Sequence, residues 1–184
     1  SSWLNQVVGV RSRLDESASI YWNPKAKELQ TRVDLALPGR INEIQGSSRN
    51  GRRHIVVSSS ATQPPQWYLY DEDLNRLILM VDGYPKLVPN ELVKPMPLTL
   101  KARDGTVLHG YVTRPAHAQQ PGPLIVLPHG GPAGRDVLDF NYWTQFLASR
   151  GWAVLQVNFR GSSGYGGECL QAGFKRWGLE MQDD

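Results

Sequence analysis

Residues 123–134 read Pro-Leu-Ile-Val-Leu-Pro-His-Gly-Gly-Pro-Ala-Gly, and no other stretch of the chain restricts the fold as tightly. The run 124–127 is short, continuous and apolar, the pattern of a strand buried on both faces of a parallel sheet. It ends in His129-Gly130-Gly131-Pro132. Two adjacent residues without a Cβ let the backbone turn sharply and bring its N–H groups close to a ligand. Residues 152–157 form a second run too apolar for a half-exposed strand. Between the two, Phe140, Trp143, Phe146 and Leu147 recur at helical spacing, with Asp136 or Asp139 as the expected cap and Gly151 as the stop. Strand, helix, strand in that order predicts a parallel pair. The glycine-rich residues 158–167 then follow the second strand at its carboxyl end, where open α/β sheets place their ligands.

The preceding half has a different grammar. Residues 5–13 and 19–22 read as strands. Asn23-Pro24 marks a helix start, and Ala26, Leu29, Val33, Ala36 and Leu37 give that helix one apolar face before Pro38-Gly39 ends it. Strands are predicted over 40–45, 53–59, 67–70 and 76–81. Asn50-Gly51 reads as a two-residue hairpin turn between the first two, and the proline-bearing 62–66 as a loop. Four antiparallel strands in so short a stretch have the size of one β-propeller blade. The prolines at 85, 89, 95 and 97 exclude a long regular element from 83–97, which reads as an interdomain linker. A hairpin over 98–102 and 107–113 turns at Asp104-Gly105, 114–122 is a surface loop, and 169–181 begins a further helix with Trp177 partly buried.

Composition narrows the function. The chain has 184 residues, 40% hydrophobic and 20% charged, with a net charge of +3 and no basic run, which describes a globular protein and argues against nucleic acid as a partner. Its single cysteine excludes an intrachain disulfide and Cys-rich metal sites. No apolar run is long enough for a membrane helix, so no membrane partner is expected. The sequence opens on Ser1-Ser2-Trp3 without an initiator methionine and stops at Asp183-Asp184, and the expectation is a piece of a longer protein.

An apolar strand entering a His-Gly-Gly turn is what an α/β-hydrolase uses for half of its oxyanion hole. The order of the motifs goes further. Ala102-Arg103-Asp104-Gly105, His109-Gly110-Tyr111, Pro128-His129-Gly130-Gly131-Pro132, residues 145–151, Asn158-Phe159-Arg160-Gly161-Ser162-Ser163-Gly164-Tyr165-Gly166, Trp177-Gly178 and Asp183-Asp184 together resemble the prolyl oligopeptidase family of serine peptidases. The acylaminoacyl-peptidase and oligopeptidase branches are nearest. The resemblance implies an α/β fold: the first part of an α/β-hydrolase sheet in residues 91–184, preceded by the last strands of a β-propeller-like domain in 1–90. It also implies a Ser/Asp/His triad that hydrolyses short peptides, with no cofactor and no metal. A cytoplasmic location is expected, and a homo-oligomer of the full-length protein is compatible with the resemblance.

The family's serine sits in a Gly-x-Ser-x-Gly elbow, and this sequence contains none: in Gly161-Ser162-Ser163-Gly164 the spacing fails at Tyr165. The triad is therefore expected outside this chain, and the chain alone is expected to be inactive. What carries over is an oxyanion-hole backbone N–H, at Gly131 first and Gly130 second. His129, Arg160 and Tyr165 are the substrate-binding candidates. For His129 a direct imidazole donor and a structural bond steadying the turn both stand open, as do a pocket role and a carboxylate pair for Arg160. Ser162 and Ser163 are expected to be loop hydroxyls, His109 structural, and His54 and His117 strand-edge and loop residues without partners. Two other readings remain: a non-catalytic binding or scaffold protein that keeps the fold, and an esterase, against which the propeller-like half argues.

Overall fold

The computed structural model describes residues 7–13, 17–116, 122–131 and 133–184; expectations that fall on residues 5 and 6, His117 and Pro132 lie outside the described residues. The chain divides into two compact units, Ser1–Glu91 and Leu92–Asp184, each taken by itself.

In the first unit β1 (Gly9–Arg13) and β2 (Ser17–Tyr21) form an antiparallel ladder. Helix α1 (Pro24–Ala36) starts as its sequence signals: the Asn23 carboxamide oxygen accepts from the Ala26 N–H at 3.1 Å, and Pro24 takes the first helical position. Its inner face differs from the expected one. Ala36 is exposed, and Gln30 is buried beside Ala26 and Val33. Gln30 gains entry by donating to the Asn42 carbonyl and the Asp34 carboxylate, both at 2.9 Å. Asn42 in turn donates to the Leu37 carbonyl and accepts from the Ser58 hydroxyl at 2.6 Å. These bonds join the helix to strands β3 (Ile41–Ser47) and β4 (Arg53–Ser60). The apolar part of the joint is Val33, Val56 and Tyr70, each worth about 1.5–3 kcal/mol when fully buried.

Strands β3, β4, β5 (Gln63–Asp71) and β6 (Arg76–Asp82) form a four-stranded antiparallel sheet in sequence order; no closed propeller is present among the described residues. Two expectations need correction. Pro64 and Pro65 belong to β5, not to a loop: the ladder steps from Ser58↔Gln66 to Ser60↔Gln63, so both prolines fall in an irregularity where no N–H is required. The β3–β4 connection is also longer than two residues. The Ser48 N–H donates to the Arg53 carbonyl, so four residues, 49–52, make the turn, and the Asn50 carboxamide oxygen accepts from the Arg52 N–H and the Ser48 hydroxyl. Asn50 organises this loop through its side chain.

The second unit is built on a mixed sheet in the order β7 (Met96–Lys101), β8 (Val107–Thr113), β10 (Ala153–Asn158), β9 (Leu124–Val126). β7, β8 and β10 pair antiparallel, and β10 and β9 pair parallel. The connection between β9 and β10 carries α2 (Tyr142–Ser149), as a parallel pair demands. The β7–β8 turn is a three-residue loop, closed by Ala102 N–H to Thr106 carbonyl, with the Asp104 carboxylate accepting from the Thr106 N–H. β8 and β10 pass so closely at Gly110 that a Cβ there would lie 2.3 Å from the Gln156 carbonyl oxygen.

β9 has a neighbour on one side only, and Leu124 and Val126 are 55% and 57% exposed, as expected where only the first strands of a larger sheet are present, whereas β10, between β8 and β9, is covered, with Val154 and Val157 buried. Burial in this unit departs from the sequence reading in two places. In α2 the aromatic residues Trp143 and Phe146 face outward, and Thr144, Gln145 and Ala148 are inside. Gln145 buries its carboxamide by bonding the Val93 backbone twice, accepting from its N–H at 3.0 Å and donating to its carbonyl at 2.8 Å. The helix is capped by Asn141, whose side chain accepts from the Thr144 N–H, not by Asp136 or Asp139. Finally, 169–181 is not one helix: α3 (Gly167–Ala172) and α4 (Glu180–Asp183) are separate, and Trp177 between them is exposed.

Candidate functional site

The parallel pairing brings the carboxyl ends of β9 and β10 side by side, each continuing into a glycine-bearing loop. The two loops are bonded along their length. The Ser163 N–H donates to the Gly134 carbonyl at 3.0 Å. Asn158, the buried last residue of β10, accepts from the Asp136 N–H at 2.8 Å and donates to the Asp136 carbonyl and the Tyr165 hydroxyl. Its one carboxamide thus replaces a strand neighbour for the 135–137 backbone.

His129 has both ring nitrogens engaged. Nδ1 lies 2.9 Å from the Gly130 carbonyl oxygen, which can only accept, so Nδ1 carries the proton. Nε2 then accepts from the hydroxyl of Ser162 at 2.8 Å, and the ring stacks on Phe159 at 4.4 Å between centroids. Ser162 is fully buried: it is paired with a histidine yet out of reach of any substrate. Gly130 and Gly131 are exposed. Neither glycine N–H meets an acceptor among the described residues. Gly131 has φ +152°, and a Cβ on it would sit 2.7 Å from the Gly134 nitrogen and 2.8 Å from that of Ala133. Only glycine fits there, on grounds of both backbone angle and space.

Arg160 lies at the base of the second loop. Its buried guanidinium bonds the Asp184 carboxylate through Nε and Nη2, at 2.5–3.0 Å, and the Asp104 carboxylate through Nη1 at 2.8 Å. Its backbone N–H also donates to Asp184. Hydrogen bonding to Asp184 first and Asp104 second holds the guanidinium further toward its charged form, and Arg160 holds the Asp104 carboxyl well below the usual carboxylate range. Tyr165 stacks on His109, centroids 4.8 Å apart, with the Arg135 guanidinium 4.5 Å over its ring, and its hydroxyl accepts from Arg135 at 3.2 Å.

Several partners were invisible in the sequence. Asp136 turns its carboxyl inward, where Oδ1 accepts from Gln156 at 2.8 Å and buried Oδ2 has no hydrogen-bond partner; burial pushes this carboxyl up. The strand register that sets Asn158 opposite His109 is the signal that links His109 to this loop. In the first unit His54 is buried, not a partnerless edge residue. Nδ1 lies 2.7 Å from the Ser47 hydroxyl and Nε2 lies 3.1 Å from Glu72. A cavity of about 180 Å³ adjoins these three residues, walled by Tyr21, Leu29 and Ile44. Among the described residues no group of three His, Cys, Asp or Glu could hold a metal, and no helix is long and apolar enough to cross a membrane.

Comparison with known proteins adds a family. A model described as the prolyl oligopeptidase family matches residues 138–184. Dipeptidyl aminopeptidase BIII of Pseudoxanthomonas mexicana is 36% identical over 155 residues, covering 80% of this chain and 22% of that protein. Dipeptidyl peptidase family member 6 of Caenorhabditis elegans is 31% identical over 180 residues, 86% of this chain and 24% of its own length. The acylaminoacyl peptidase of Pyrococcus horikoshii superposes with a TM-score of 0.56 at 30% identity, covering 78% of this chain and 23% of the other. This chain thus spans under a quarter of the length of these curated relatives. The matched segment includes α2, β10 and the 158–166 loop, the elements on which the paired loops rest, and the chain belongs to the prolyl oligopeptidase family of serine peptidases.

Proposed function

We propose that this chain supplies the oxyanion side of the active site of a serine-type peptidase acting on short peptides, with the Ser/Asp/His triad carried elsewhere in the whole protein. The observation that carries the reading is the exposed Gly131, whose N–H meets no acceptor among the described residues, in a loop bonded alongside 158–166 at the carboxyl ends of two parallel strands. A backbone donor so placed stabilises the oxyanion of a tetrahedral intermediate, with Gly131 the first choice for that donor and Gly130 the alternative. Arg160 and Tyr165 act by fixing the neighbouring loop. The names of the relatives, a dipeptidyl aminopeptidase and an acylaminoacyl peptidase, support a peptide substrate. In this reading residues 1–90 are the last part of a propeller-like domain and 91–184 the first part of the hydrolase domain.

The test is Gly131→Val in the whole protein. A donor that matters in the transition state lowers kcat by about 10²–10³ while KM moves little. An unchanged kcat removes Gly131 from the mechanism.

A further inference from the structure

The sheet of the first unit holds a hydroxyl, an imidazole and a carboxylate in series. Cross-strand register sets Ser47 of β3 opposite His54 of β4, and His54 opposite Tyr70 of β5, so the three side chains share one face of the sheet. Glu72 follows the end of β5, fixed by its N–H donating to the Arg52 carbonyl at 2.9 Å, and meets the ring from its far side. The Ser47 hydroxyl lies 2.7 Å from His54 Nδ1, and Nε2 lies 3.1 Å from Glu72 Oε1. A carboxylate oxygen can only accept, so in the neutral ring Nε2 carries the proton and Nδ1 accepts from Ser47. The ring is buried, the Glu72 side chain is 13% exposed, and Ser47 is exposed. A hydroxyl within reach of a base that a third group orients is the arrangement that activates a nucleophile. Here the hydroxyl is the end that meets solvent.

Room for a substrate lies beside it. The cavity of about 180 Å³ adjoins all three side chains and is walled by Tyr21, Leu29 and Ile44. An apolar cavity of about 150 Å³ already takes a benzene ring. Gly46, next to Ser47, keeps the approach open, since a Cβ on it would meet nothing within 4 Å. The bulge between Ile44 and Gly46 leaves Gln45 opposite no residue of β4, a local irregularity of the kind that re-aims a neighbouring side chain.

We propose that Ser47 is an acyl-accepting nucleophile, activated by His54 and Glu72, and that the cavity admits small esters of one-ring phenols. Ser47 Oγ bonds the acyl carbon as its proton passes to His54 Nδ1, and Glu72 stabilises the imidazolium so formed. The carbon–oxygen bond to the aryl group then breaks. The phenolate leaves with the electron pair and takes the proton from Nδ1, so that acyl-Ser47, a phenol and a neutral ring remain. The proposal does not depend on the reading of Gly131 as an oxyanion donor.

The experiment treats the whole protein with p-nitrophenyl acetate, quenches in acid, digests with pepsin and maps the acetyl group by mass spectrometry. Ser48, next along the chain, is the reference hydroxyl, and Ser47→Ala is the blank. Ser47 is expected to be acetylated about 10²-fold faster than Ser48. His54→Gln and Glu72→Gln should each lower the rate at Ser47 by about 10-fold or more. Leu29→Phe narrows the cavity, and should slow acetylation by the aryl ester while leaving that by acetic anhydride, which brings no ring, unchanged. Thermal unfolding of each variant checks its fold, and where a variant does not fold the comparison of Ser47 with Ser48 in the parent decides.

Acetylation of Ser48 or Lys25 at a rate equal to that of Ser47 overturns the proposal. So does a folded His54→Gln or Glu72→Gln variant whose Ser47 reacts as fast as the parent's. A Leu29→Phe variant that slows both acyl donors alike overturns the assignment of the cavity to the aryl group.

Discussion

The two four-stranded sheets use their buried polar groups differently. In the β3–β6 sheet Gln30, Asn42 and Ser58 join a helix to the strands beside it, and Ser47, His54 and Glu72 link β3, β4 and the end of β5. Most of these bonds hold a regular element to its neighbour, although buried Asp71 also accepts from the Asp73 and Leu74 N–H groups of the β5–β6 turn. In the β7–β10 sheet the buried Asn158, Arg160 and Ser162 sit at or beyond the end of β10, and their bonds reach loops. Loop backbone has no ladder to pair with, so a loop of fixed shape must be held by side chains. In the β7–β10 sheet these polar groups hold loops in place, whereas in the β3–β6 sheet they chiefly hold helix and strands together.

Substitutions can break or sharpen this contrast. The largest effect is expected from a glycine pair. Gly110→Ala sets a methyl group 2.3 Å from the Gln156 carbonyl and should cost about 3 kcal/mol as β8 is forced off β10. Gly46→Ala, whose Cβ meets nothing within 4 Å, should change stability by under about 0.5 kcal/mol. Amide hydrogen exchange in β10 and β4 reads the two units separately, and equal losses of protection would erase the distinction.

Next comes Arg160→Met. It strands the carboxylate of Asp184, whose side chain is fully buried, and should cost about 3 kcal/mol or slightly less. The loss should centre on the loop after β10. The counterpart in the first unit, His54→Ala, leaves the Ser47 hydroxyl and Glu72 without their shared partner and should cost about 1–2 kcal/mol. Its loss should be spread over β3–β5. Exchange changes confined to one loop in both variants would contradict the division of labour.

The smallest effect concerns acid, and it has opposite signs in the two sheets. Asp71, held below its ordinary value first by Arg53, contributes stability that is present above the ordinary carboxylate range and lost as pH falls through it toward the lower folded value. Asp136, pushed up by burial, binds its proton more readily folded than unfolded. Its contribution therefore improves as pH falls from above the raised value to below the ordinary one. Asp71→Asn should flatten the acid loss in β4, and Asp136→Asn should remove the acid gain in β10. Denaturant titrations between pH 3 and pH 7, followed by exchange, test both. A change of the same sign in the two variants would break the comparison.

What was legible in the sequence was local. The Asn23-Pro24 helix start, the strands of the meander and the β9–helix–β10 order follow from caps, alternation and run length within a few residues, and the chain obeys them. What was not legible depended on partners far along the chain. Leu124 and Val126 look like core residues, and among the four strands present β9 has a neighbour on one side only. Trp143 and Phe146 outweigh Gln145 in any hydrophobic pattern, yet Gln145 is the inward residue because the Val93 peptide waits to be paired. Pro64 and Pro65 signal a loop until the register skips past them. His54 shows nothing by itself, and His129 stands out only as part of its motif, since Ser47, Glu72 and Ser162 become their neighbours only through pairing and loop closure. The candidate site followed the same rule: Gly130, Gly131 and the 158–166 segment stood out as motifs, while the bonds of Asn158 to Asp136 and of Ser162 to His129, which shape the loop, did not.

The double bond between Gln145 and Val93 has a consequence in time. Val93 precedes Gln145 by 52 residues, and a ribosome working at about 5–20 residues per second needs roughly 3–10 s to supply the second partner after the first. The β7–β8 hairpin closes over a three-residue loop, and such a hairpin forms within microseconds of its emergence. For those seconds the nascent chain therefore holds a finished hairpin beside a backbone segment whose partner has not yet been made. A pause in translation anywhere between residues 93 and 145 would lengthen the exposure of that segment without touching any contact already in place.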